Sequence, residues 1–314
     1  MNHSEGREER TLPAWLGAYV DVESLSQVLH QYYELIKPRI ALLIVISTSV
    51  GYSYGVGHFS PWTFFHALLG TAMMAAGSAT LNQWYERDLD ALMARTKMRP
   101  IPAGTITPRQ ALAFGVGVSV LGVLELLIFV NVLAAALGLL TSLGYLFAYT
   151  PLKRKGPICT TIGAFPGAMP PLIGYAAATG HLTVQAWSLF AILFLWQFPH
   201  FHAIAWLYRE EYQRAGIKML AVVRPFGNAL KLEIMAALIL LVPATLAPTF
   251  LHMAGKVYFA AAIMLNLAFF YFGVQMSRDH SRSAARKLLL ASVIYVPILF
   301  AFLVIDSPRF TSIF

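Results

Sequence analysis

Residues 61–90 read PWTFFHALLGTAMMAAGSATLNQWYERDLD, and this stretch determines what kind of fold the chain can adopt. Up to Trp84 it is almost entirely apolar or small, and roughly 20 such residues suffice for an α-helix to cross a bilayer. Ser60 precedes Pro61 at its start, and a hydroxyl residue followed by a proline is typical of a helix beginning. The stretch therefore predicts a membrane-spanning helix over residues 61–84.

Eight further apolar stretches of similar length make the whole chain a predicted membrane protein. Charged residues form only 12% of its 314 residues, about half of the fraction in a soluble domain. The sequence predicts an all-α polytopic membrane bundle of about nine transmembrane helices. Residues 1–35 are expected to form a cytoplasmic N-terminal lead, with an interfacial helix around Val22–Leu35, and residues 36–314 a single transmembrane domain. The predicted spans are 39–57, 61–84, 109–130, 132–150, 158–179, 184–206, 229–250, 256–275 and 287–305.

The basic residues predict the orientation of the bundle. All of the 23 lysines and arginines except Lys256 and Arg309 fall on one side of it, which the positive-inside rule identifies as the cytoplasm. The N-terminus is then cytoplasmic, the C-terminus lies outside, and the long connections after spans 2 and 6 are cytoplasmic cap loops. Because the basic excess reports topology, we expect no nucleic-acid partner. An acidic N-terminus without an early apolar run argues against a signal peptide or presequence and favours a bacterial inner membrane.

An acidic motif lies at the end of the second predicted span. Asn82, Glu86 and Asp90 follow an i, i+4, i+8 spacing, which places three oxygen-bearing side chains in one row on a helix. Mg²⁺ prefers hard oxygen ligands, usually one or two carboxylates together with substrate phosphate. The row has no base of its own, so we expect a cation to offset the repulsion. A solvated helix end is the alternative, but Asn82 lies within the apolar run, where polar residues are usually functional.

Basic residues follow the acidic row in the next loop and recur at the inner end of span 4. Acids that hold Mg²⁺ beside bases that pair with phosphate oxygens are what a diphosphate site requires. The positive-inside rule alone explains some of these bases. We predict a metal site formed by Asn82, Glu86 and Asp90, catalytic assistance from Lys153 and Arg154, and substrate binding by Arg95, Lys97 and Arg99.

The run N-x-x-x-E-x-x-x-D, followed by RTKMRPIPAG at residues 95–104, closely resembles the first aspartate-rich motif of the UbiA superfamily of intramembrane prenyltransferases. That superfamily usually has an aspartate where Glu86 stands, so the carboxylate is kept with one more methylene. Residues 149–154, 163–171, 196–201 and 208–217 resemble the members of the superfamily that modify haem. Specific motifs cover roughly Ile36 to Leu220, and the later spans resemble the superfamily in topology only.

This resemblance implies a Mg²⁺-dependent enzyme that transfers a farnesyl group from farnesyl diphosphate to a vinyl group of haem B. Water would complete the new side chain, giving haem O for haem A and terminal oxidase biogenesis. The resemblance also implies membrane lipid around the bundle and a haem A synthase as a further partner. Many members carry a second D-x-x-x-D motif after span 6. Here Tyr208 and Tyr212 fall near those positions with Glu210 and Glu211 as the nearby carboxylates, so the ligands of a second metal stay open.

Two histidines in predicted span 6 are candidates for contact with the haem. His200 and His202 are two residues apart and therefore lie on different helix faces. A histidine bonded to a buried carbonyl is the ordinary alternative, but a haem acceptor favours His200. Pro166, Pro170 and Pro171 are expected to break span 5, which suits a wide substrate pocket. The predicted substrate-binding set is completed by Tyr149, His200, Tyr208, Glu211 and Tyr212.

Two other functions fit parts of the pattern. A prenyltransferase that acts on a quinone precursor or another aromatic acceptor would share the acidic row, but residues 196–201 and the replaced second motif argue against it. A secondary transporter would also have many spans and intramembrane polar residues. Transporters bind their substrates near the bilayer midplane, whereas the charges of this chain cluster at one interface.

Overall fold

A computed structural model describes residues 14–225 and 227–308, with side chains from residue 25 onward. Within these ranges the regular structure is helical and no strand occurs. Leu, Ala, Phe and Ile dominate the long helices, which contain few charges. The helices are α1 (Ala14–Leu35), α2 (Pro38–Gly55), α3 (Pro61–Asp90), α4 (Pro108–Phe129), α5 (Val132–Leu143), a π-helical segment (Gly144–Tyr149), α6 (Thr150–Leu152), α7 (Cys159–Ala168), α8 (Pro170–Thr179), α9 (Val184–Leu207), α10 (Arg209–Arg214), α11 (Leu220–Val223), α12 (Asn228–Phe250), α13 (Lys256–Asp279) and α14 (Arg282–Ile305).

Seven helical segments of the described chain are long and apolar enough to cross a membrane. They are α3, α4, the continuous segment Val132–Leu152, α9, α12, α13 and α14. An eighth span results if α1 and α2, which meet at a bend of 54°, are counted together. The predicted fifth span is instead divided into α7 and α8, of ten residues each. The all-α, multi-pass membrane architecture is therefore confirmed, whereas the count of nine remains a prediction.

The division between α7 and α8 lies at Pro170, one of the prolines expected to break span 5, whereas Pro166 lies inside α7 and does not interrupt it. Helix α7 ends before Met169, and Pro170 begins α8, because a proline has no N–H to continue the hydrogen bonds of the preceding helix. Helix α8 is buried over most of its length and packs against α2. Glycine permits this approach, since a Cβ added to Gly174 would overlap the backbone of Thr48.

The turn between α1 and α2 is fixed against α3. Leu35 is fully buried at the end of α1, and its carbonyl accepts a hydrogen bond of 2.8 Å from Gln83 Nε2 on α3. Lys37 then adopts a left-handed backbone conformation with φ of 49°, which is uncommon for a residue other than glycine. This turn directs Lys37 towards the end of α3 that carries the acidic row. The predicted helix at Val22–Leu35 belongs to α1, which begins earlier, at Ala14.

Two long connections lie at the same end of the bundle. The first connection, residues 91–107, joins α3 to α4, and the second connection, residues 208–225, contains α10 and α11. Thr107 closes the first connection with a capping box, in which its hydroxyl accepts from Gln110 N–H and the Gln110 side chain accepts from Thr107 N–H. Helix α4 therefore begins directly after Thr107, at Pro108. The backbone N–H of Arg95 donates to Glu211 Oε2 at 3.2 Å, so the two connections contact each other.

Candidate active site

The acidic row lies on one uninterrupted helix. Helix α3 continues through Asp90, and its period therefore aligns Asn82, Glu86 and Asp90 along one face. All three are buried, at 2%, 8% and 1% exposure respectively. The side chain of Asp88, which lies off this row, is 84% exposed. The periodicity thus separates the buried polar face from the solvated one.

Each member of the row contacts a base from a different part of the chain. Lys37 Nζ lies 3.5 Å from Asn82 Oδ1, and Lys153 Nζ lies 2.8 Å from Glu86 Oε1. Arg99 Nη1 donates to Asp90 Oδ2 at 2.7 Å. Bases from outside α3 offset the repulsion between the two acids in this structure, and the metal site itself stays a prediction. Lys37 is the base that sequence reasoning missed, because it entered the sequence analysis only as one of the basic residues that indicate orientation in the membrane.

Lys153 is positively charged within this cluster. Burial opposes the charge, but the Glu86 carboxylate outweighs it and raises the pKa of Lys153 well above its usual value. The ammonium group also lies 4.5 Å from the centroid of the Tyr149 ring, where the electron-rich face of the ring attracts a cation. The contact with Glu86 therefore favours the charged form of Lys153.

The amide of Asn82 is held by the π-helical segment. Tyr145 donates its hydroxyl to Asn82 Oδ1 at 3.2 Å, and Asn82 Nδ2 donates to Thr150 Oγ1 at 3.2 Å. Thr150 Oγ1 in turn donates to the backbone carbonyl of Tyr145 at 2.8 Å. Short π-helical segments occur frequently at functional sites. Tyr145 and Thr150 belong to the site although sequence reasoning did not select them, and the only signal for them was their proximity to Tyr149.

Tyr149 is placed beside Lys153 by a glycine on the next helix. Gly163 of α7 lies directly against the Tyr149 ring, and a Cβ added at this position would overlap the ring carbons. The absence of a side chain at Gly163 therefore lets the ring lie beneath the Lys153 ammonium group. The structure thus brings Tyr149 to the acidic cluster, as the predicted substrate-binding set requires.

Four other predicted substrate-binding residues form a second cluster, which joins the two connections. The guanidinium carbon of Arg95 lies 4.6 Å from the Tyr208 ring centroid and 5.8 Å from that of Tyr212. Arg95 Nη2 also donates to the Tyr212 hydroxyl at 3.2 Å, in addition to the backbone contact with Glu211. We call Arg95, Tyr208, Glu211 and Tyr212 the loop clamp. Its arginine contacts tyrosines rather than the acidic row.

Two predicted residues belong neither to the acidic row's contacts nor to the loop clamp. The side chains of Lys97 and Arg154 are exposed. Lys153, the neighbour of Arg154, instead points inward and tethers the second connection as well, since its carbonyl accepts a 2.6 Å hydrogen bond from Lys218 N–H. Roles for Lys97 and Arg154 in substrate binding remain predictions.

The two histidines of α9 contact different helices, as their spacing indicates. His200 Nδ1 lies 2.8 Å from Ser292 Oγ of α14, and its ring stacks on Trp196 at a centroid distance of 4.7 Å. His202 is fully buried, and its Nε2 lies 2.7 Å from Glu233 Oε2 of α12. His202 is thus paired with a carboxylate, whereas His200 contacts the Ser292 hydroxyl and the rings of Trp196 and Phe201.

The donor set of the row fits a particular kind of metal ion. Across residues 14–225 and 227–308, no group of three or more histidine, cysteine, aspartate or glutamate side chains could hold a metal by itself. The row supplies two carboxylates and one amide oxygen. Mg²⁺ commonly binds to one or two carboxylates and completes its octahedron with phosphate oxygens and water. The residues present therefore suit Mg²⁺ that is shared with a diphosphate rather than a metal held by protein alone.

The chain is similar to known proteins in both sequence and fold. The chain is 47% identical over 290 residues to the protoheme IX farnesyltransferase of Solibacter usitatus, covering 89% of this chain and 99% of the relative. A solved structure of digeranylgeranylglyceryl phosphate synthase superposes with a TM-score of 0.75 at 18% identity, covering 88% of this chain and 98% of that chain. A UbiA homologue from Archaeoglobus fulgidus bound to GPP and Mg²⁺ superposes with a TM-score of 0.58 at 17% identity, covering 87% and 99%.

A protein-family model also matches most of the chain, and it confirms the resemblance to the UbiA superfamily. It describes the UbiA prenyltransferase family and matches residues 44–302. The match includes the acidic row, the π-helical segment, the loop clamp and both histidines of α9. The chain belongs to the UbiA prenyltransferase family.

Proposed function

We propose that this chain transfers a farnesyl group from farnesyl diphosphate to a vinyl group of haem B, giving haem O. The name of the Solibacter usitatus relative, at 47% identity over most of both chains, supports the donor and the acceptor. The structural observation that carries the proposal is the pairing of each row residue with its own base. A site in which carboxylates lie beside lysine and arginine side chains can bind a metal ion through the acids and a diphosphate through the bases.

Binding of the diphosphate would exchange the partners of these charged groups. Glu86 and Asp90 would turn from their bases to Mg²⁺, and Lys37, Lys153 and Arg99 would turn to phosphate oxygens. When bound, Mg²⁺ supplies Lewis-acid stabilisation of the charge that develops on the leaving diphosphate. The bases act in the same direction, because fixed cationic donors stabilise negative charge where it develops. The Archaeoglobus fulgidus homologue, which is bound to GPP and Mg²⁺, supports a site that takes a prenyl diphosphate and Mg²⁺ together.

Aromatic rings beside the row would stabilise the allylic cation that remains when the diphosphate leaves. The centroids of Tyr145 and Tyr149 are 5.4 Å apart, and both rings lie next to the cationic and acidic groups that hold the diphosphate. An electron-rich ring face attracts a nearby cation by roughly 1 kcal/mol or more when water is excluded. The apolar bundle excludes water from the allylic cation until the acceptor vinyl group has reacted.

The acceptor would lie deeper in the bundle than the diphosphate. His200 lies on α9 eight residues before Tyr208, which directly follows that helix, and this separation corresponds to about 12 Å along the helix axis. Tyr208 belongs to the loop clamp at the end of the bundle where the acidic row lies. A haem in contact with His200 would thus approach the allylic end of the donor from the side of the membrane interior.

The proposal extends to the cellular setting. The near-complete segregation of lysine and arginine supports an N-terminus and two cap loops in the cytoplasm, a C-terminus outside, and nine spans in all. We place the chain in a bacterial inner membrane, surrounded by lipid, and expect a haem A synthase to take up the product. Arg309, one of the two exceptions to the charge bias, lies outside the described residues.

Acceptor choice tests this proposal against a prenyltransferase for quinone precursors. Purified protein is incubated with labelled farnesyl diphosphate, Mg²⁺ and an equimolar mixture of haem B and 4-hydroxybenzoate. We expect the label to enter the haem fraction alone. Label in the aromatic acid and not in haem would overturn the assignment of the acceptor while leaving the prenyl chemistry in place.

A further inference from the structure

The hydrogen bonds of Ser292 determine which nitrogen of His200 carries a proton. The Ser292 hydroxyl has one hydrogen, which it donates to the backbone carbonyl of Leu289 at 2.6 Å. Towards His200 Nδ1, 2.8 Å away, the same oxygen must therefore act as acceptor. Nδ1 is then the protonated nitrogen of the neutral imidazole, and Nε2 retains its lone pair.

The same serine fixes the plane of the imidazole ring. Trp196 Nε1 donates to the backbone carbonyl of Ser292 at 2.8 Å, and the indole ring stacks on His200 with an interplanar angle of 25°. Ser292 is fully buried, so these contacts are made on a rigid part of α14. An imidazole that donates Nδ1–H to a fixed acceptor is the arrangement that orients histidine ligands of metals.

The second nitrogen of His200 is available to a ligand. Among the contacts of the described residues, Nε2 of His200 makes no hydrogen bond, and the residue is only half-buried. His202 provides the contrast, because it is fully buried and its Nε2 contacts Glu233. Of the two histidines, only His200 is partly exposed, and its Nε2 is not among the buried nitrogens of the described residues.

We propose that His200 Nε2 is an axial ligand of the iron of the haem acceptor, and that Ser292 is the positioning residue that holds this nitrogen in place. Neutral imidazole is the commonest protein ligand of haem iron. The inference rests on the proposed function and deepens it by naming the atom that recognises the acceptor. Iron ligation would fix the distance of the porphyrin from α9, and Trp196 and Phe201 beside His200 supply apolar surface for the macrocycle.

The test is a titration of the purified full-length protein with ferric haem B, followed by the Soret band and by electron paramagnetic resonance. The parent protein should give the spectra of a histidine-ligated haem. His200→Gly should lose them and bind haem at least about tenfold more weakly, and added imidazole should restore them by occupying the vacated space. Ser292→Ala should weaken binding about tenfold, the usual effect of losing a group that orients a metal ligand. Ser292→Thr, which keeps the hydroxyl, should restore affinity.

His202→Gln is the matched control on the same helix and should leave the haem spectra unchanged. His200→Gln serves if His200→Gly does not fold, and it should lose the histidine-ligated spectrum in the same way. The inference is overturned if the folded His200 variant retains the parent spectra, or if imidazole has no effect on His200→Gly. The product assay on the parent protein keeps the two claims apart. Farnesylated haem from a parent that lacks histidine-ligated spectra would contradict the iron ligand only, whereas absence of that product would contradict the proposed function.

Discussion

Lys153 and Glu86 lie 67 residues apart in the sequence, yet the ammonium nitrogen of one is 2.8 Å from the carboxylate of the other. The contact joins the end of α6 to the middle of the acidic row on α3. Breaking one partner of such a buried pair leaves an uncompensated charge, which is strongly destabilising. In the proposed function, substrate would have to give each partner a new one, so we expect the pair to couple metal binding to diphosphate binding.

Lys37 provides the first prediction, because sequence reasoning did not assign it to the site. Lys37→Met should raise the KM for farnesyl diphosphate about 10- to 100-fold, since a hydrogen bond to a charged group contributes about 1.5–3 kcal/mol. Steady-state kinetics with purified protein measure this change. Arg39→Met is the matched control, as Arg39 is exposed two residues away, and its KM should stay within about twofold of the parent. An equal change in KM in both variants would mean that Lys37 contributes only a positive charge at the cytoplasmic end of the bundle and does not contact the diphosphate.

The loop clamp provides the second prediction. Arg95→Lys keeps the charge but loses the planar stacking and the fixed donor to Tyr212. We expect faster amide hydrogen exchange in residues 91–99 and 208–217, with a local loss of about 1 kcal/mol of protection. Lys97→Met, at an exposed position in the same connection, should leave the exchange pattern unchanged. Parent-like exchange in Arg95→Lys would show that the two connections are held together by other contacts.

Gly163 provides the third prediction, which concerns stability. Gly163→Ala should destabilise the protein by about 1–3 kcal/mol, because the added methyl group overlaps the Tyr149 ring and forces it to move. A lower thermal unfolding temperature in detergent and reduced turnover should appear together. Gly117→Ala is the control on α4, since nothing lies within 4 Å of the added Cβ, and alanine there should be neutral or slightly stabilising. Unchanged stability of Gly163→Ala would indicate that the Tyr149 ring is free to shift.

The fourth prediction concerns topology. A reporter fused after Phe314 should be detected outside the cytoplasm, and a reporter inserted between Arg95 and Arg109 should be detected inside it. The strong segregation of basic residues is the reason. Both reporters in the cytoplasm would require an even number of spans and would refute the nine-span arrangement.

The sequence predicts those parts of the site that depend on local periodicity. The i, i+4, i+8 spacing identifies the buried row because α3 is regular from Pro61 to Asp90. The break in span 5 is predictable in part, because consecutive prolines at 170 and 171 remove two backbone donors in a row, whereas the single Pro166 lies inside α7. Arg99 is predictable as a base near the row because it follows Asp90 by only nine residues.

Other parts depend on tertiary contacts that no local pattern records. Lys37 reaches Asn82 across 45 residues, and it does so through a left-handed turn that Gln83 holds in place. A lysine directly before a proline offers only a weak signal of such a turn. Ser292 contacts His200 across 92 residues, and an isolated serine in an apolar span gives no indication of its partner. The π-helical segment likewise depends on packing rather than on composition.

The mass of haem recovered after turnover tests the central claim most directly. Purified protein is incubated with haem B, farnesyl diphosphate and Mg²⁺, with a chelator in a parallel sample, and the haem is extracted for mass spectrometry. We predict a haem that has gained a farnesyl group and one hydroxyl group. This product should be absent from the sample with the chelator. Glu86→Gln should form it about 100-fold or more slowly than the parent. Asp88→Asn, the exposed neighbour off the row, should retain the product. The account would be contradicted if the folded parent protein left the haem unmodified. It would also be contradicted if Glu86→Gln gave as much product as the parent.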